Sequence, residues 1–198
     1  PRDLRELLAA LAVAMLLYSV PMLIEVRMSP QLNVWVYGYF QHQFDQMVRF
    51  GGYRPIVFLE HGIWVALLTY MAAHAAALLT RLSAPEDRSR LLAALLALLV
   101  MVMLCRTLAA WIYALLFLPL LWAASPGLIG RVAVAMAVAV FCYPLLRLYG
   151  LVPIDWMLEM ASKVSADRAA SLQYRFDNEW VLLEHVQLRP LFGWGEWN

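Results

Sequence analysis

The sequence predicts an all-α, polytopic membrane helical bundle, with about five transmembrane helices followed by an extracytoplasmic amphipathic helical segment. Of its 198 residues, 64% are hydrophobic, whereas soluble domains contain about 45–50%, and the mean hydropathy is +0.68. Only 15% of the residues are charged, and these charges cluster between the apolar runs. The net charge is +1, and no basic stripe with interleaved aromatic residues indicates nucleic-acid binding.

Five apolar runs approach the roughly 20 residues that a helix needs to span a bilayer. They predict helices at residues 7–24, 55–82, 91–104, 108–124 and 132–152. A single helix from 91 to 124 would be about 50 Å long and too long for a bilayer, so the third and fourth form a hairpin with Arg106 at its turn. Pro55 suits the first turn of the second helix. The predicted transmembrane region is 1–152, and residues 153–198 form an extracytoplasmic segment.

Lysine and arginine in short loops predict the orientation. If five helices alternate, the basic residues of the short loops all lie on one side of the membrane, and this side is expected to be the cytoplasm. These residues are Arg2, Arg5, Arg81, Arg88, Arg90 and Arg131. The other side receives the loop 25–54, the turn at Arg106 and the tail. In the tail, Leu172, Phe176, Trp180 and Leu183 recur at helical spacing and predict an amphipathic helix over 167–189.

Arg54 is the first candidate for binding an anion. It follows two glycines and directly precedes the predicted helix start at Pro55. A helix N-terminus offers free N–H groups and partial positive charge, and a guanidinium binds phosphate oxygens two at a time. Arg106 is a second cation on the same face. The alternative is an interfacial arginine that reaches lipid phosphates.

Glu60 and His61 are the candidate catalytic residues. They lie inside the predicted second helix, where ionisable groups are costly and usually face a polar cavity. A carboxylate beside an imidazole could supply a general base, although neighbouring side chains point about 100° apart, so only one is expected to enter the cavity. Alternatively, Glu60 pairs with an arginine and His61 bonds a carbonyl. Because no His, Cys or carboxylate pattern has the spacing of a metal site, we expect metal-independent chemistry without a cofactor.

The tail contributes the second part of the predicted site. Gly193 and Gly195 flank Trp194 in the stretch RPLFGWGEW, and such glycines let the backbone turn tightly and approach a ligand closely. Arg175 and Arg189 are expected to converge with the arginines of the earlier loops. The alternative is a structural turn that anchors the amphipathic helix through its tryptophans.

Three stretches resemble the superfamily of O-antigen ligases and O-antigen polymerases. Residues 167–197, DRAASLQYRFDNEWVLLEHVQLRPLFGWGEW, resemble the region where an Arg-Pro-Leu-Phe-Gly-Trp-Gly stretch follows an amphipathic helix. The segment GGYRPIVFLEHG, residues 51–62, is similar to an external segment that precedes a spanning helix. Residues 105–116, CRTLAAWIYALL, look like the superfamily's helical hairpin.

The resemblance implies a metal-independent inverting glycosyltransferase of the bacterial inner membrane. It would transfer or polymerise sugar units from an undecaprenyl-pyrophosphate-linked donor to a glycan or lipid acceptor at the periplasmic face, during assembly of lipopolysaccharide or another surface polysaccharide. Arg54 and Arg106 would hold the pyrophosphate, with Arg175 or Arg189 in support. The histidine base of the ligases would follow Asn198, so the chain is expected to be a fragment that is inactive alone. Ligase and polymerase both stay open.

Two other classes compete with this interpretation. A transporter or flippase fragment would use the arginines to recognise an anionic lipid-linked substrate during its passage. Such proteins show broken helices in two similar halves, and the sequence shows no internal repeat. A non-catalytic assembly protein would use the tryptophan-rich tail to bind a partner.

Overall fold

The computed structural model describes residues 2–189 and Trp194, apart from the side chain of Asp167. In this part of the chain eight α-helices and one two-stranded sheet form, which confirms the all-α class. The helices are α1 (Arg2–Met28), α2 (Leu32–Tyr37), α3 (Gly62–Leu82), α4 (Pro85–Leu104), α5 (Leu108–Ala123), α6 (Pro126–Leu148), α7 (Ile154–Val164) and α8 (Ala166–Gln187). A 3-10 helix (Phe44–Met47) precedes the strands β1 (Val48–Arg49) and β2 (Gly52–Tyr53).

Three of the described helices, α1, α3 and α6, are long and apolar enough to cross a membrane. Helix α5 is apolar but has only 16 residues. Helix α4 has 20 residues, but its first turns carry four charged side chains, and the apolar remainder falls short of a full span. The chain is therefore compatible with a membrane protein, and the count of five spans stays a prediction.

The chain divides into two compact units, Pro1–Ile129 and Gly130–Asn198. In the first unit α3 is the central helix and packs against α1, α4 and α5. Its buried positions are mostly small, with Ala66, Ala72, Ala73 and Ala76 fully covered, and small side chains let helices approach closely. The predicted hairpin is confirmed, because α4 ends at Leu104 and α5 begins at Leu108.

The first unit has two chemically different ends. At one end Arg5 donates to the Ser83 hydroxyl at 3.2 Å, and Arg81 donates to the carbonyls of Leu121 and Ala124. We call this the basic end. The other end holds residues 29–61 and the turn between α4 and α5, and we call it the loop end. The separation agrees with the predicted alternation of these helices, and the side of the membrane that each end faces stays a prediction.

The predicted start of the second long helix at Pro55 is wrong, because α3 begins at Gly62. The reason is the fully buried carboxylate of Glu25, near the end of α1. It accepts hydrogen bonds from the backbone N–H groups of Ile56 at 2.9 Å and Val57 at 2.7 Å, and from that of Leu32 at 3.1 Å. These amides therefore have an acceptor without forming a helix, and residues 55–61 run as a connection.

The predicted helix 132–152 is shifted from the observed α6, Pro126–Leu148. Its start is earlier because the Ser125 hydroxyl accepts from the Leu128 N–H at 3.3 Å, which is the usual cap of a helix N-terminus. Its end is earlier because Gly150 adopts a φ of 68°, a left-handed conformation that terminates helices.

In the second unit α7 and α8 pack against each other. The predicted amphipathic helix over 167–189 is confirmed by α8, and the Ser165 hydroxyl caps its first turn. Phe176 is buried on the apolar side, and Leu172 and Leu183 are half-buried. Helix α7 does not appear in the sequence-based prediction.

We expect Glu25→Ala to lower the stability of the protein substantially. The substitution leaves three N–H groups without their acceptor, and each costs about 1–3 kcal/mol when buried. Glu6→Ala, on the exposed first turns of the same helix, should change the free energy of unfolding by less than about 0.5 kcal/mol. Thermal unfolding in detergent micelles measures the difference. Equal melting temperatures for the two variants would contradict the role given to Glu25.

The two ends of the first unit should react with reagents applied to opposite sides of the membrane. In a variant without the native cysteines, a cysteine replacing the exposed Ser89 should be labelled only from the side of the basic end. A cysteine replacing the exposed Phe58 should be labelled only from the opposite side. Labelling of both positions from one side with an impermeant maleimide would show that α3 does not cross the bilayer.

Candidate functional site

The loop end is organised by a β-hairpin between the 3-10 helix and Arg54. Strands β1 and β2 pair in antiparallel register through a two-residue turn. Phe50 and Gly51 at the turn have φ values of 49° and 71°, the conformation of the tight turns that match strand twist. The Phe50 ring stacks on Trp111 of α5, with centroids 5.1 Å apart. The hairpin is thereby held against the start of α5.

Arg106 binds this hairpin from the turn between α4 and α5. Its Nη1 donates to the carbonyl of Arg49 at 2.9 Å and to that of Phe50. A Cβ atom added at Gly52 would lie 2.5 Å from the Arg106 Cζ, so the guanidinium occupies the space of a side chain. Arg106 therefore supports the hairpin, and its predicted contact with pyrophosphate stays a prediction.

Arg54 is buried, at 5% exposure, directly after β2. Its Nη2 donates to the hydroxyl of Thr107 at 3.0 Å, and Thr107 is the residue that precedes the first turn of α5. A Cβ atom at Gly62, the first residue of α3, would lie 2.7 Å from the Arg54 Nε. The prediction that Arg54 precedes a helix start in sequence is wrong. Its side chain nevertheless lies at the N-terminal ends of two helices, α3 and α5.

This placement concentrates positive charge at the loop end. A helix N-terminus carries about half an elementary positive charge, and the fixed guanidinium of Arg54 adds a full one beside two such ends. An anion is therefore favoured at this position, and a planar guanidinium already oriented by Thr107 is suited to a phosphate group.

The adjoining cysteine does not add a nucleophile. Cys105 is fully buried between α4 and α5. Burial raises the pKa of its thiol to about 12, and the hydrogen bond with Thr69 and the charge of Arg54 offset this only in part. The thiol is therefore neutral at physiological pH, and the reactive species of cysteine chemistry, the thiolate, is absent.

A cleft of about 700 Å³ opens beside the first turn of α3. It is lined by Tyr39, Phe40, Gln41, Glu60, His61, Ile63 and Trp64. The prediction that Glu60 and His61 lie within a helix is wrong, because Glu60 is exposed in the preceding connection and His61 is the N-cap of α3. The helical offset of about 100° therefore does not apply to them. Both residues reach the same cleft.

The hydrogen bond of His61 defines its protonation pattern. Its Nδ1 accepts from the backbone N–H of Ile63 at 3.0 Å, so the neutral ring carries its proton on Nε2. The neighbouring ring of His42 lies 4.5 Å away between centroids, and its Nδ1 accepts from the Gln43 N–H at 2.8 Å. In this arrangement the neutral His61 ring has its N–H at Nε2, and the carboxylate of Glu60 lines the same cleft.

The remaining lining combines a rigid floor with exposed aromatic faces. Gln41 donates from its Nε2 to the carbonyls of Val57 at 2.8 Å and Leu59 at 3.0 Å. This fixes the connection that carries Glu60. Tyr39 and Trp64 are 60% and 52% exposed. Flat aromatic faces of this kind are suited to packing against sugar rings as well as to the membrane interface.

The predicted site residues of the tail belong to the second unit. Arg175 is exposed on α8. The Arg189 guanidinium lies 4.2 Å from the centre of the Trp194 ring. Trp194 in turn stacks on His185 at 4.2 Å and donates to its carbonyl at 3.0 Å. This local stack at the end of α8 suits the alternative of an anchoring turn, while the convergence of these arginines with those of the loop end stays a prediction. Gly193 and Gly195 lie outside the described residues.

Sequence reasoning gave no role to three residues that shape the cleft. Glu25 follows an apolar run and was grouped with the loop, yet it is the buried acceptor that fixes the connection. Gln41 and His42 precede Glu60 by about 20 residues in the sequence, and no local pattern relates them to it. An acidic residue at the very end of an apolar run was the available signal for Glu25.

A further cluster lies in the second unit, around Arg147 of α6. Its guanidinium is placed 5.7 Å from the ring centre of Phe176 and 5.5 Å from that of Trp180. The Arg147 Nε is 3.8 Å from the carboxylate of Glu179, which also accepts from the Tyr143 hydroxyl at 3.1 Å. Arg147 is thereby paired with side chains of α8.

Within the part of the chain that the structure describes, no group of three or more His, Cys, Asp and Glu side chains is placed to hold a metal ion. No protein-family model, no curated protein and no solved structure matches the chain. The O-antigen ligase and polymerase superfamily therefore stays a resemblance of three sequence stretches.

Gly62→Ala tests whether Arg54 is held against α3. Alanine is normally favoured over glycine within a helix by about 1 kcal/mol, but here the new methyl group would overlap the stem of Arg54. We expect a lower melting temperature than for the unsubstituted protein. Gly130→Ala, on α6, is the matched control, because a Cβ atom there meets nothing within 4 Å, and it should be neutral or stabilising. Equal melting temperatures for both variants would contradict the close contact.

Proposed function

We propose that the loop end binds the donor of a membrane glycosyltransferase, which transfers or polymerises sugar units from an undecaprenyl-pyrophosphate-linked donor during assembly of a cell-surface polysaccharide. The observation that carries the proposal is the buried Arg54 at the N-termini of α3 and α5, beside a cleft that contains Glu60 and His61. We further propose the periplasmic face of the bacterial inner membrane as the place of transfer. The apolar helices support only the membrane part of this location.

The donor's pyrophosphate fits the positive charge of the loop end. Arg54 would bind its oxygens in pairs through the planar fork, and the N–H groups at the helix ends would add to the attraction. Because Thr107 already holds Nη2 in place, little side-chain freedom is lost on binding. A charge fixed in advance stabilises a leaving group without reorganisation during the reaction.

The transfer step uses the two polar residues of the cleft. An acceptor hydroxyl attacks the anomeric carbon from the side opposite the pyrophosphate, its proton passes to the Glu60 carboxylate, and a new C–O bond forms. The bond between the anomeric carbon and the pyrophosphate breaks, and the leaving group keeps the electron pair while Arg54 stabilises its charge. His61 lines the same cleft and would contact the substrate there. This mechanism inverts the anomeric configuration and uses neither metal nor cofactor.

The alternative is a transporter or flippase fragment for an anionic lipid-linked substrate. Transporters typically bind substrates at discontinuous helices near the bilayer centre. Helices α1 and α3 are continuous over Arg2–Met28 and Gly62–Leu82, and the cleft lies at a helix end. These observations favour a transferase over a transporter.

Substitution of Arg54 should reduce binding of a pyrophosphate lipid. We expect Arg54→Lys to weaken binding of farnesyl pyrophosphate at least about ten-fold, because a point charge replaces a bidentate fork, and Arg54→Ala to abolish it. Arg88→Ala, an exposed arginine of the basic end, is the control and should bind normally. Binding is measured by microscale thermophoresis in detergent, with melting temperatures to show that each variant is folded. Normal binding by a folded Arg54→Lys protein would remove Arg54 from the site.

Glu60→Gln separates transfer from binding. It should leave farnesyl pyrophosphate binding unchanged and reduce sugar transfer by about 100-fold or more, as expected for loss of a general base. Transfer is measured with an undecaprenyl-pyrophosphate-linked glycan and the complete gene product in membranes. Unchanged transfer by this variant would eliminate Glu60 as the base, and normal binding without any transfer in the unsubstituted protein would favour the transporter.

A further inference from the structure

A second cleft, of about 400 Å³, lies at the basic end of the first unit, at the opposite end of this unit from the loop end. Its polar wall has two arginines, Arg5 and Arg90, and two carboxylates, Glu6 and Asp87. The volume is within the range of about 300–1,000 Å³ that small-molecule sites occupy. Two positive and two negative side chains make a wall of zero formal net charge, with both signs available to a ligand.

The position of this cleft corresponds to the headgroup region of a bilayer. Arg5 and Glu6 are in the first turns of α1, and Ser83 follows directly after the end of α3. Both helices are candidate membrane spans, and the ends of spanning helices lie at the level of the lipid headgroups. The lining also includes the apolar residues Ala9, Leu79 and Leu91, of which Leu79 is buried. A ligand of this cleft is thus a molecule with a polar head and an apolar remainder.

One arginine of the cleft is held in place. The Arg5 Nη2 donates to the Ser83 hydroxyl at 3.2 Å, which links α1 to the turn between α3 and α4. Glu6 is 3.0 Å from Arg2 in an exposed ion pair of the same helix, an interaction that water largely screens. The carboxylate of Asp87 lies on the opposite wall, in the first turn of α4.

We propose that this cleft binds the headgroup of a phosphatidylethanolamine molecule from the surrounding leaflet. Its phosphate would bind Arg5 and Arg90, and its primary ammonium, which has three N–H donors, would bind Glu6 and Asp87. The phosphate of an anionic lipid such as phosphatidylglycerol would also meet Arg5 and Arg90, but its uncharged glycerol would leave Glu6 and Asp87 without an ammonium partner. A quaternary ammonium such as choline is recognised by aromatic faces, and of the described residues that line the cleft none is aromatic.

This headgroup site does not depend on the proposed glycosyl transfer, because it shares no residue with the loop end. Its occupant would bridge α1 and α4 across the end of α3. A bound lipid that contacts only the folded arrangement stabilises that arrangement by mass action. The melting temperature should therefore rise with added phosphatidylethanolamine.

The purified chain, delipidated in detergent, tests the site by native mass spectrometry and thermal unfolding. Phosphatidylethanolamine, phosphatidylcholine and phosphatidylglycerol with identical acyl chains are added separately. We expect phosphatidylethanolamine to bind at least ten-fold more tightly than the other two and to raise the melting temperature. Equal binding of all three lipids, or tighter binding of phosphatidylglycerol, would overturn the proposal. Water-soluble phosphoethanolamine should bind far more weakly, and binding as tight as that of the lipid would refute a membrane source.

Two substitutions distinguish the two halves of the headgroup. Asp87→Asn should remove the preference for ethanolamine over choline, and Arg90→Ala should weaken binding of phosphatidylethanolamine at least ten-fold. Glu86→Gln and Arg88→Ala change neighbouring exposed residues that do not line the cleft, and they should bind as the unsubstituted protein does. Melting temperatures without lipid show that the variants are folded. Unchanged binding and selectivity in both Asp87→Asn and Arg90→Ala would disprove the site.

Discussion

The buried carboxylate of Glu25 is the interaction on which the loop end of this protein depends. By accepting hydrogen bonds from the amides of Ile56 and Val57, it keeps an apolar segment out of the helix that follows. Val57 adopts a φ of 52° there, which costs a β-branched residue about 1–3 kcal/mol. The start of α3 is consequently delayed to Gly62. Without this delay neither the cleft nor the contact between Arg54 and the helix end would exist.

Two glycines complete the arrangement by leaving room for arginine side chains. Gly52 accommodates the guanidinium of Arg106, and Gly62 accommodates the stem of Arg54. The two arginines are therefore fitted into the fold, and neither is a flexible surface cation. Arg106 holds the hairpin by donating to carbonyls of the hairpin, and Arg54 is oriented by its hydrogen bond to Thr107. A positive charge that is fixed in this way is suited to binding a phosphate group.

Sequence periodicity predicted the helical class, the hairpin at Arg106 and the amphipathic α8, because each depends on contacts between residues close in the chain. It misplaced the start of α3, since residues 55–59 are as apolar as the helix that follows and their helix-breaking partner, Glu25, lies about 30 residues earlier. The candidate site was predicted only in part, because sequence patterns relate residues that are close in the chain. Arg54, Glu60 and His61 stand in one short segment, whereas the floor supplied by Gln41 comes from a distant loop.

The partners of Glu25 also impose an order on the biogenesis of this protein. They lie seven, 31 and 32 residues farther along the chain, and a ribosome delivers the N-terminal segment first. Helix α1 is therefore synthesised before the amides that its carboxylate binds. Only after residues 32–57 have been synthesised can these amides replace water around Glu25, so the loop end assembles after that segment and cannot precede it.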